Sequence, residues 1–329
     1  MSTPHSNRPD VVFYETFEEE EAALRRLLPD SIQAVFVPKT IQEAGGEWPA
    51  KLISTRTQSA VPVAWLPELS GILSRSSGCD HLFPLRAASD GKVALGYLPL
   101  YCARAVAEQG ILLLMALLRK LKRQLEQFDR FDRNGLTGVE CAGRRLLVVG
   151  VGQIGREVVA LGRGLGMTVR GVDIVRRLPD LKYTALEHGL AWADAVICAL
   201  PLTAQTRGLL NRPMLEKARL GTLLVNVGRG EATPLADLSV LLESGRLGGV
   251  GLDVYEEEGK LAAALRSGGS PTSEQIRPLA ALKGRPDVLL TPHNAFNTVE
   301  ALERKAQQSV EAVVQFLKTG TFPHPAPDG

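Results

Sequence analysis

The sequence predicts an α/β protein of two units, the larger of which is built on a parallel sheet. In the second half of the chain, short apolar runs rich in Val, Leu and Ile alternate with helical patterns. Such near-continuous strands indicate a parallel sheet that is covered by helices on both faces. The chain is also 329 residues long, which favours two domains. The six predicted strands are 145–150, 169–173, 195–200, 223–227, 249–254 and 288–291.

The first part of the chain predicts a smaller α/β unit. Its apolar, β-branched runs are 11–14, 34–37, 52–55, 71–75 and 93–97. Between the first two runs, the stretch EEEEAALRRLL has helical periodicity and ends at Pro29.

Two long helices are predicted outside the strand pattern. The first runs from Arg104 to about Phe131 with a broad apolar stripe. It either links the domains or packs partly on a second subunit, and the sequence leaves both open. The second, Val299–Leu317, is long enough to fold back on the first unit. We therefore expect a discontinuous domain of residues 1–103 plus 296–329, and a second domain of residues 104–295.

Composition argues against several classes of protein. The 38 basic and 36 acidic residues nearly cancel, so nucleic acid is not an expected partner. The polar start has no signal-peptide core, and the longest apolar run, Ile111–Leu118, is far shorter than a membrane span. The four cysteines lack a C-x-x-C pair, which favours reduced thiols, no metal site and a cytoplasmic protein. The proline-rich tail FPHPAPDG is expected to fray.

The loop after the first strand of the larger unit predicts a dinucleotide site. It reads GVGQIG, with Gly150, Gly152 and Gly155 placed for a tight turn, a bound pyrophosphate and close helix packing. Gln153 and Ile154 open the following helix, whose N-terminus offers N–H groups to phosphate.

The end of the second strand selects the cofactor. A carboxylate at Asp173 can accept hydrogen bonds from the adenosine ribose and repels a 2′-phosphate, which favours NAD over NADP. Arg176 and Arg177 lie close enough to soften that preference.

Further polar side chains follow the remaining strands, at the edge where parallel sheets bind ligands. Arg229 lies between two glycines and can fork onto a carboxylate. His293 is the one histidine at this edge, because His81 and His188 fall in ordinary loop or helix positions and His5 and His324 lie in the tails. The expected cofactor contacts here are Leu200, Pro201, Thr206, Val227, Gly228 and Asp253.

These residue types together suit hydride transfer to a carbonyl. The carbonyl oxygen needs a proton, which a histidine can supply near neutral pH. An arginine can hold an acid substrate, and a carboxylate beside the histidine would orient it and favour the imidazolium. The stretch DVYEEEG contains three glutamates that could be this carboxylate. Its own sequence does not indicate which of them lies beside the histidine.

From about residue 50 to 318, the chain resembles the D-isomer-specific 2-hydroxyacid dehydrogenases. The matching motifs are LLVVGVGQIGREV, LPLTAQTRGLLN, NVGRGE, GLDVYEEE and LTPHNAF. The resemblance implies two flavodoxin- and Rossmann-like domains with parallel sheets and a cleft between them, and a homodimer formed through the NAD-binding domain. It also implies that His293 is the proton donor, that Glu258 is its partner and that Arg229 binds the substrate carboxylate and carbonyl.

Other positions carry over from the same family. Asp253 would meet the nicotinamide carboxamide, and the backbone of SSGCDH, at Ser77 and Gly78, would bind the substrate carboxylate. Tyr101 and Phe296 resemble the D-lactate dehydrogenase branch, as substrate contacts. Gly259 stands where the family often has proline, and the helical content of residues 259–287 stays open. Glu256 and Glu257 are expected to lie in a solvated turn.

The favoured function is NADH-dependent reduction of a short, pyruvate-like 2-keto acid to the D-2-hydroxy acid, and its reverse. One alternative is a reductase of glyoxylate, hydroxypyruvate or another 2-keto acid. An alternative of another class is an NAD(H)-sensing, corepressor-like binding protein, since such proteins keep the same three residues.

Overall fold

The computed structural model describes residues 8–45, 50–269, 273–274 and 276–327. The chain forms two compact units. Unit 1 comprises the residues up to Cys102 together with those from Asn297 onward, and unit 2 is Ala103–Phe296. Within the described ranges, no helix is long and apolar enough to cross a membrane.

Unit 1 is a five-stranded parallel sheet with the strand order β2-β1-β3-β4-β5. The strands are β1 (Val11–Tyr14), β2 (Ala34–Val37), β3 (Leu52–Thr55), β4 (Gly71–Ser74) and β5 (Ala94–Tyr97). The α-helices are α1 (Glu18–Leu27), α2 (Ile41–Ala44), α3 (Phe83–Ala88) and α12 (Val299–Thr319), with 3₁₀ turns at Val63–Glu68 and Asp80–Leu82. The inner strands β1, β3 and β4 are buried along their whole length, as expected when helices cover both faces.

The last helix packs on this sheet where two glycines leave room. A Cβ on Gly71 or Gly96 would lie 2.4 Å from the ring of Phe316 or Phe322, respectively. The two rings stack on each other at 4.5 Å. The tail beyond them is ordered against β5, where Ala326 N donates to Leu95 O at 2.8 Å. The expectation of a frayed tail is therefore wrong as far as Pro327, because the edge strand β5 offers backbone partners.

A buried ion cluster also fastens α12 to unit 1. Glu20 Oε1 lies 2.9 Å from Arg75 Nε and 2.6 Å from Lys305 Nζ, and all three side chains are fully buried. Burial alone would raise the pKa of Glu20, but Arg75, Lys305 and Arg56 lower it to about 2. The carboxylate therefore stays ionised inside the unit.

Unit 2 is a seven-stranded parallel sheet with the strand order β12-β11-β10-β9-β6-β7-β8. The strands are β6 (Arg145–Val149), β7 (Thr168–Val172), β8 (Lys182–Tyr183), β9 (Ala195–Cys198), β10 (Thr222–Asn226), β11 (Leu247–Leu252) and β12 (Val288–Leu290). The α-helices are α4 (Ala103–Leu118), α5 (Leu121–Gln127), α6 (Gln153–Gly164), α7 (Leu186–Trp192), α8 (Arg212–Leu215), α9 (Leu235–Glu243), α10 (Glu258–Arg266) and α11 (Leu279–Lys283), with 3₁₀ turns at Phe128–Arg130 and Gly230–Ala232. The six predicted strands are present, and β8 is additional because a two-residue Lys-Tyr strand has no apolar run to reveal it.

The long helix predicted from Arg104 to Phe131 is broken. Lys120 adopts a left-handed conformation, with φ of 53°, between α4 and α5. The segment that follows α5 comes back to the C-terminal end of α4, where Val139 N donates to Leu118 O at 3.0 Å. No glycine or proline marks this break, so the sequence pattern runs through it.

Candidate active site

The glycine loop after β6 has the shape of a phosphate cradle. Gly150 has a φ of +90°, which favours glycine, and a Cβ on Gly155 would lie 1.9 Å from Gly150 O. A Cβ on Gly152 would meet nothing within 4 Å, so there is open space beside the backbone at that residue. The helix α6 starts at Gln153 with no side chain capping its N-terminus. Its first N–H groups therefore suit the pyrophosphate of a dinucleotide.

Asp173 lies beside this loop at the end of β7. Its Oδ2 accepts from Val151 N at 2.6 Å, and its Oδ1 accepts from Val175 N at 2.8 Å. The carboxylate is thus fixed next to the cradle, where a ribose would follow a bound pyrophosphate. Arg176 and Arg177 are exposed beyond it, and the Arg176 guanidinium lies 6.0 Å from the Tyr183 ring.

The loop after β9 is folded by its own hydroxyls. Thr206 Oγ1 donates to Pro201 O at 2.7 Å and accepts from Thr203 N at 2.8 Å. This turn keeps Leu200 half-buried and leaves Pro201 exposed at the carboxyl edge of the sheet.

Arg229 is positioned by the two glycines around it. A Cβ on Gly228 would lie 2.6 Å from Leu200 O, and one on Gly230 would lie 1.9 Å from Tyr255 C. Glycine is therefore required on both sides, because the backbone passes directly against the chain after β9 and after β11. Asn226 holds the same turn, with Nδ2 donating to Arg229 O at 2.9 Å. The half-buried Arg229 side chain thus starts from a fixed backbone at the end of β10, next to Val227.

Glu258 and His293, which the family resemblance implies are partners, are in direct contact. Glu258 Oε1 lies 2.6 Å from His293 Nδ1, and the two side chains are 19% and 26% exposed, respectively. The carboxylate can only accept, so Nδ1 carries a proton and Nε2 is left for a reacting group. His293 has a left-handed backbone with φ of 49°, which turns the chain sharply after β12.

Asp253 anchors the segment that carries His293. It is fully buried, and it accepts from Thr291 Oγ1 at 2.5 Å, from Asn294 N at 2.9 Å and from Ala295 N at 2.9 Å. Burial raises its pKa, although these hydrogen bonds oppose the change. The Asp253 carboxylate thus has its hydrogen-bond donors within the protein itself. A contact between Asp253 and the nicotinamide carboxamide stays a prediction.

The other two glutamates of DVYEEEG are not free in a solvated turn. Glu256 is half-buried and Oε2 accepts from Leu235 N at 2.8 Å, so it caps the first turn of α9. Glu257 contacts Lys260 at 2.5 Å and also Ser273. The solvated-turn expectation is therefore wrong for Glu256, because α9 begins beside it with unpaired N–H groups. Gly259, the departure from the usual proline, lies in the first turn of α10.

The remaining predicted residues are divided between the units. Ser77 and Gly78 are half-buried after β4, and Tyr101 is buried after β5, with its carbonyl accepting from Arg304 Nε at 2.9 Å. These three belong to unit 1, whereas the buried Phe296 belongs to unit 2. Unit 2 therefore collects Arg229, the Glu258–His293 pair and the nucleotide loop at one sheet edge. Unit 1 carries the candidate substrate contacts Ser77, Gly78 and Tyr101, after its strands β4 and β5.

Sequence reasoning missed two groups in unit 1. One is the buried Glu20–Arg75–Lys305 cluster, whose members are far apart in the chain. The other is His81, whose Nε2 lies 2.9 Å from Ser74 Oγ. Its place at the end of SSGCDH was the available signal. Among the described residues, no group of three His, Cys, Asp or Glu side chains is placed to hold a metal ion.

Comparison with known proteins agrees with this geometry. Residues 111–295 match the model of the D-isomer specific 2-hydroxyacid dehydrogenase, NAD binding domain. D-lactate dehydrogenase of Streptococcus pyogenes serotype M1 is 27% identical over 321 residues, which cover 92% of this chain and 95% of that protein. 2-Hydroxyacid dehydrogenase A of Aspergillus oryzae is 35% identical over 251 residues, covering 75% of this chain and 71% of that one.

The fold matches solved structures over nearly the whole chain. The D-lactate dehydrogenase from Aquifex aeolicus, complexed with NAD and lactic acid, superposes with a TM-score of 0.83 at 25% identity, covering 95% of this chain and 99% of that one. The pyruvate reductase of Chlamydomonas reinhardtii has a TM-score of 0.82 at 27% identity, with 96% and 98% covered. With residues 111–295 matched by the family model, the chain belongs to the D-isomer-specific 2-hydroxyacid dehydrogenases, in their D-lactate dehydrogenase branch, and its cofactor is NAD.

Proposed function

We propose that this protein reduces a short, pyruvate-like 2-keto acid to the D-2-hydroxy acid with NADH, and catalyses the reverse reaction. The observation that carries the proposal is the 2.6 Å contact between Glu258 Oε1 and His293 Nδ1 at the sheet edge that also holds Arg229. Two similar proteins support the substrate class by their names, a D-lactate dehydrogenase and a pyruvate reductase.

Each residue of this edge has a distinct part. His293 Nε2 donates a proton to the carbonyl oxygen during reduction and takes it back during oxidation. Glu258 holds the imidazole by its Nδ1–H, and its charge stabilises the imidazolium. The Arg229 guanidinium binds the substrate carboxylate and polarises the carbonyl. Bound NADH supplies the hydride.

Cofactor and substrate contacts follow from the same assignment. Gly150, Gly152, Gln153, Ile154 and Gly155 would cradle the pyrophosphate, and Asp173 would accept from the ribose. On the nicotinamide side, the contacts would be Leu200, Pro201, Thr206, Val227, Gly228 and Asp253. Ser77 and Gly78 would bind the substrate carboxylate by their backbone, and Tyr101 and Phe296 would contact the rest of the substrate.

We also propose that the protein is a cytoplasmic homodimer formed through unit 2. The support is a set of large apolar side chains exposed along α4, α5 and the turn that follows. Leu112 is 56% exposed, Leu125 69%, Phe128 71% and Phe131 75%. Burying such side chains against a second copy would remove them from water.

Steady-state kinetics with NADH and NADPH tests the proposed function. Pyruvate, glyoxylate, hydroxypyruvate and phenylpyruvate serve as substrates. His293→Ala should lower kcat by roughly 10²–10⁴ because the proton donor is lost. His188→Ala is the matched control, since His188 is an exposed histidine on α7. Glu258→Gln should shift the pH profile of kcat.

Two results would contradict the proposal. Near-normal turnover of His293→Ala with all four keto acids would remove His293 as the acid. Negligible turnover by the unaltered protein, together with tight NADH binding, would favour a nucleotide-sensing protein instead.

A further inference from the structure

A chain of three hydrogen bonds runs from His81 to the loop after β4. His81 Nε2 lies 2.9 Å from Ser74 Oγ, Ser74 Oγ lies 2.5 Å from Ser76 Oγ, and Ser76 Oγ donates to Gly78 O at 2.7 Å. The loop that it reaches contains Ser77 and Gly78, the two residues proposed to bind the substrate carboxylate. His81 itself is four residues from Ser77 and has no part in the proposed chemistry.

The direction of every proton in this chain follows from the number of donors. Each serine hydroxyl has a single proton. Ser76 gives its proton to the Gly78 carbonyl, which can only accept. Ser74 must therefore donate to Ser76, and His81 Nε2 must donate to Ser74. An imidazole with its proton on Nε2 and an imidazolium both meet this requirement.

The first two residues of this series of hydrogen bonds, His81 and Ser74, lie in rigid parts of unit 1. His81 lies in the 3₁₀ turn Asp80–Leu82, whose Leu82 is fully buried and leads into α3. Ser74 is the last residue of β4 and is also fully buried. At the start of the loop, Ser76 O accepts from Leu98 N at 3.1 Å. The backbone of the loop is thus held at two points, by the Leu98 N–H at Ser76 O and by the Ser76 hydroxyl at Gly78 O.

We propose that His81, acting through Ser74 and Ser76, is a positioning residue that fixes the Ser77–Gly78 backbone for the substrate carboxylate. The peptide group that follows Gly78 is planar, so holding its oxygen fixes the orientation of that plane and with it the backbone of Gly78, a residue that is otherwise conformationally free. Backbone donors bind an anion well only if they already point at it, because ordering them during binding would cost affinity. This inference rests on the proposed function, since it needs a carboxylate substrate at that loop.

Steady-state kinetics of matched variants tests whether His81 has this positioning role. His81→Phe removes the donor at about the same size, and His81→Gln keeps an amide donor. His81→Phe and Ser76→Ala should each raise KM for the best keto acid about tenfold, as for the loss of roughly one hydrogen bond. A contact held equally in ground and transition states changes KM and leaves kcat nearly unaltered. His81→Gln should stay close to the unaltered protein, and His81→Phe/Ser76→Ala should be no worse than Ser76→Ala alone.

The outcomes separate this inference from the proposed function. An unchanged KM in His81→Phe, with the unaltered protein active, overturns the inference alone. A rise in KM that is the same in His81→Gln overturns it too, because the donor would then not be responsible. Additive effects in the double variant would show that His81 does not act through Ser76. An unaltered protein that turns over none of the keto acids overturns the proposed function, and the inference with it. The NADH dissociation constant is the internal control and should not change in any variant.

Discussion

Replacing Glu20 with glutamine would remove the carboxylate that two buried cations share. Glu20 Oε1 lies 2.9 Å from Arg75 Nε and 2.6 Å from Lys305 Nζ, with all three side chains fully buried. A glutamine has nearly the same volume, so the change removes charge and leaves packing almost intact. Arg75 would keep Ser54 Oγ at 3.0 Å and the carbonyl of Tyr14 at 2.6 Å. Lys305 would lose the anion beside its ammonium.

The size of the effect can be worked out in two ways. Breaking a buried ion pair from one side typically costs about 3–5 kcal/mol, because the remaining charge is left without its partner. The cations lower the pKa of Glu20 from 4.5 to about 2. At about 1.4 kcal/mol per pH unit, this difference is roughly 3 kcal/mol of stability. A lowered carboxyl pKa contributes stability above pH 4.5 that is lost as the pH falls towards 2. Burial lowers the pKa of Lys305 to about 7, so its ammonium is fully charged only below that pH. The loss from Glu20→Gln should therefore be largest at about pH 6 and vanish in acid, where Glu20 is protonated.

Urea unfolding at about pH 6 measures this loss, with Glu21→Gln as the matched control. Glu21 is the next residue of α1 and pairs with Arg25 at 2.8 Å, where the side chains are 31% and 59% exposed, respectively. An exposed pair of this kind contributes about 0–1 kcal/mol. Glu20→Gln should lower the urea midpoint far more than Glu21→Gln. Equal shifts in the two variants would refute the reasoning that burial makes the Glu20 pairs strong.

Three further predictions concern unit 2. Gly230→Ala should abolish activity and lower stability, since its Cβ would lie 1.9 Å from Tyr255 C, and turnover with thermal unfolding would show both. Gly259→Ala should raise stability by about 0.4–1 kcal/mol, because nothing lies within 4 Å of its Cβ in the first turn of α10. A fall in the melting temperature would contradict that. Asp173→Ala should raise KM for NADH and narrow the preference for NADH over NADPH, because the carboxylate that repels a 2′-phosphate is gone. An unchanged ratio of kcat/KM for the two cofactors would exclude Asp173 as the selecting group.

The parallel sheet of unit 2 made much of the candidate site predictable. Strands alternating with helices place their carboxyl ends at one edge, so the glutamates after β11 and His293 after β12 were expected at the same edge, and the family resemblance implied Glu258 among them. The 2.6 Å contact between them agrees with that prediction. The sequence also placed Arg229 between two glycines at this edge, whereas the close backbone contacts that require those glycines are seen only in the structure.

Features that depend on contacts between residues far apart in the chain could not be predicted from the sequence. The four glutamates 18–21 look alike in sequence, and Glu20 is distinguished by its contacts with Arg75 and Lys305 in the structure. In the sequence, Glu256 looks like a solvent-exposed acid. In the structure, its carboxylate accepts a hydrogen bond from Leu235 N at the start of α9. The break at Lys120 depends on Val139 reaching Leu118 O, which no local pattern encodes. In each case the deciding contact joins residues well apart in the chain.

The return of the C-terminal helix to unit 1 has a consequence for protein synthesis. Unit 1 includes the chain up to Cys102, but the rings of Phe316 and Phe322 that pack against Gly71 and Gly96 of its sheet come only with the residues from Asn297 onward. A ribosome adding about 5–20 residues per second needs roughly 10–40 s to make the chain between them. During that time unit 2 is synthesised completely and can fold, while Glu20 lacks its contact with Lys305, which has not yet been made. Unit 1 is thus started before unit 2 and completed after it, and nascent unit 1 exposes apolar surface until α12 has been made.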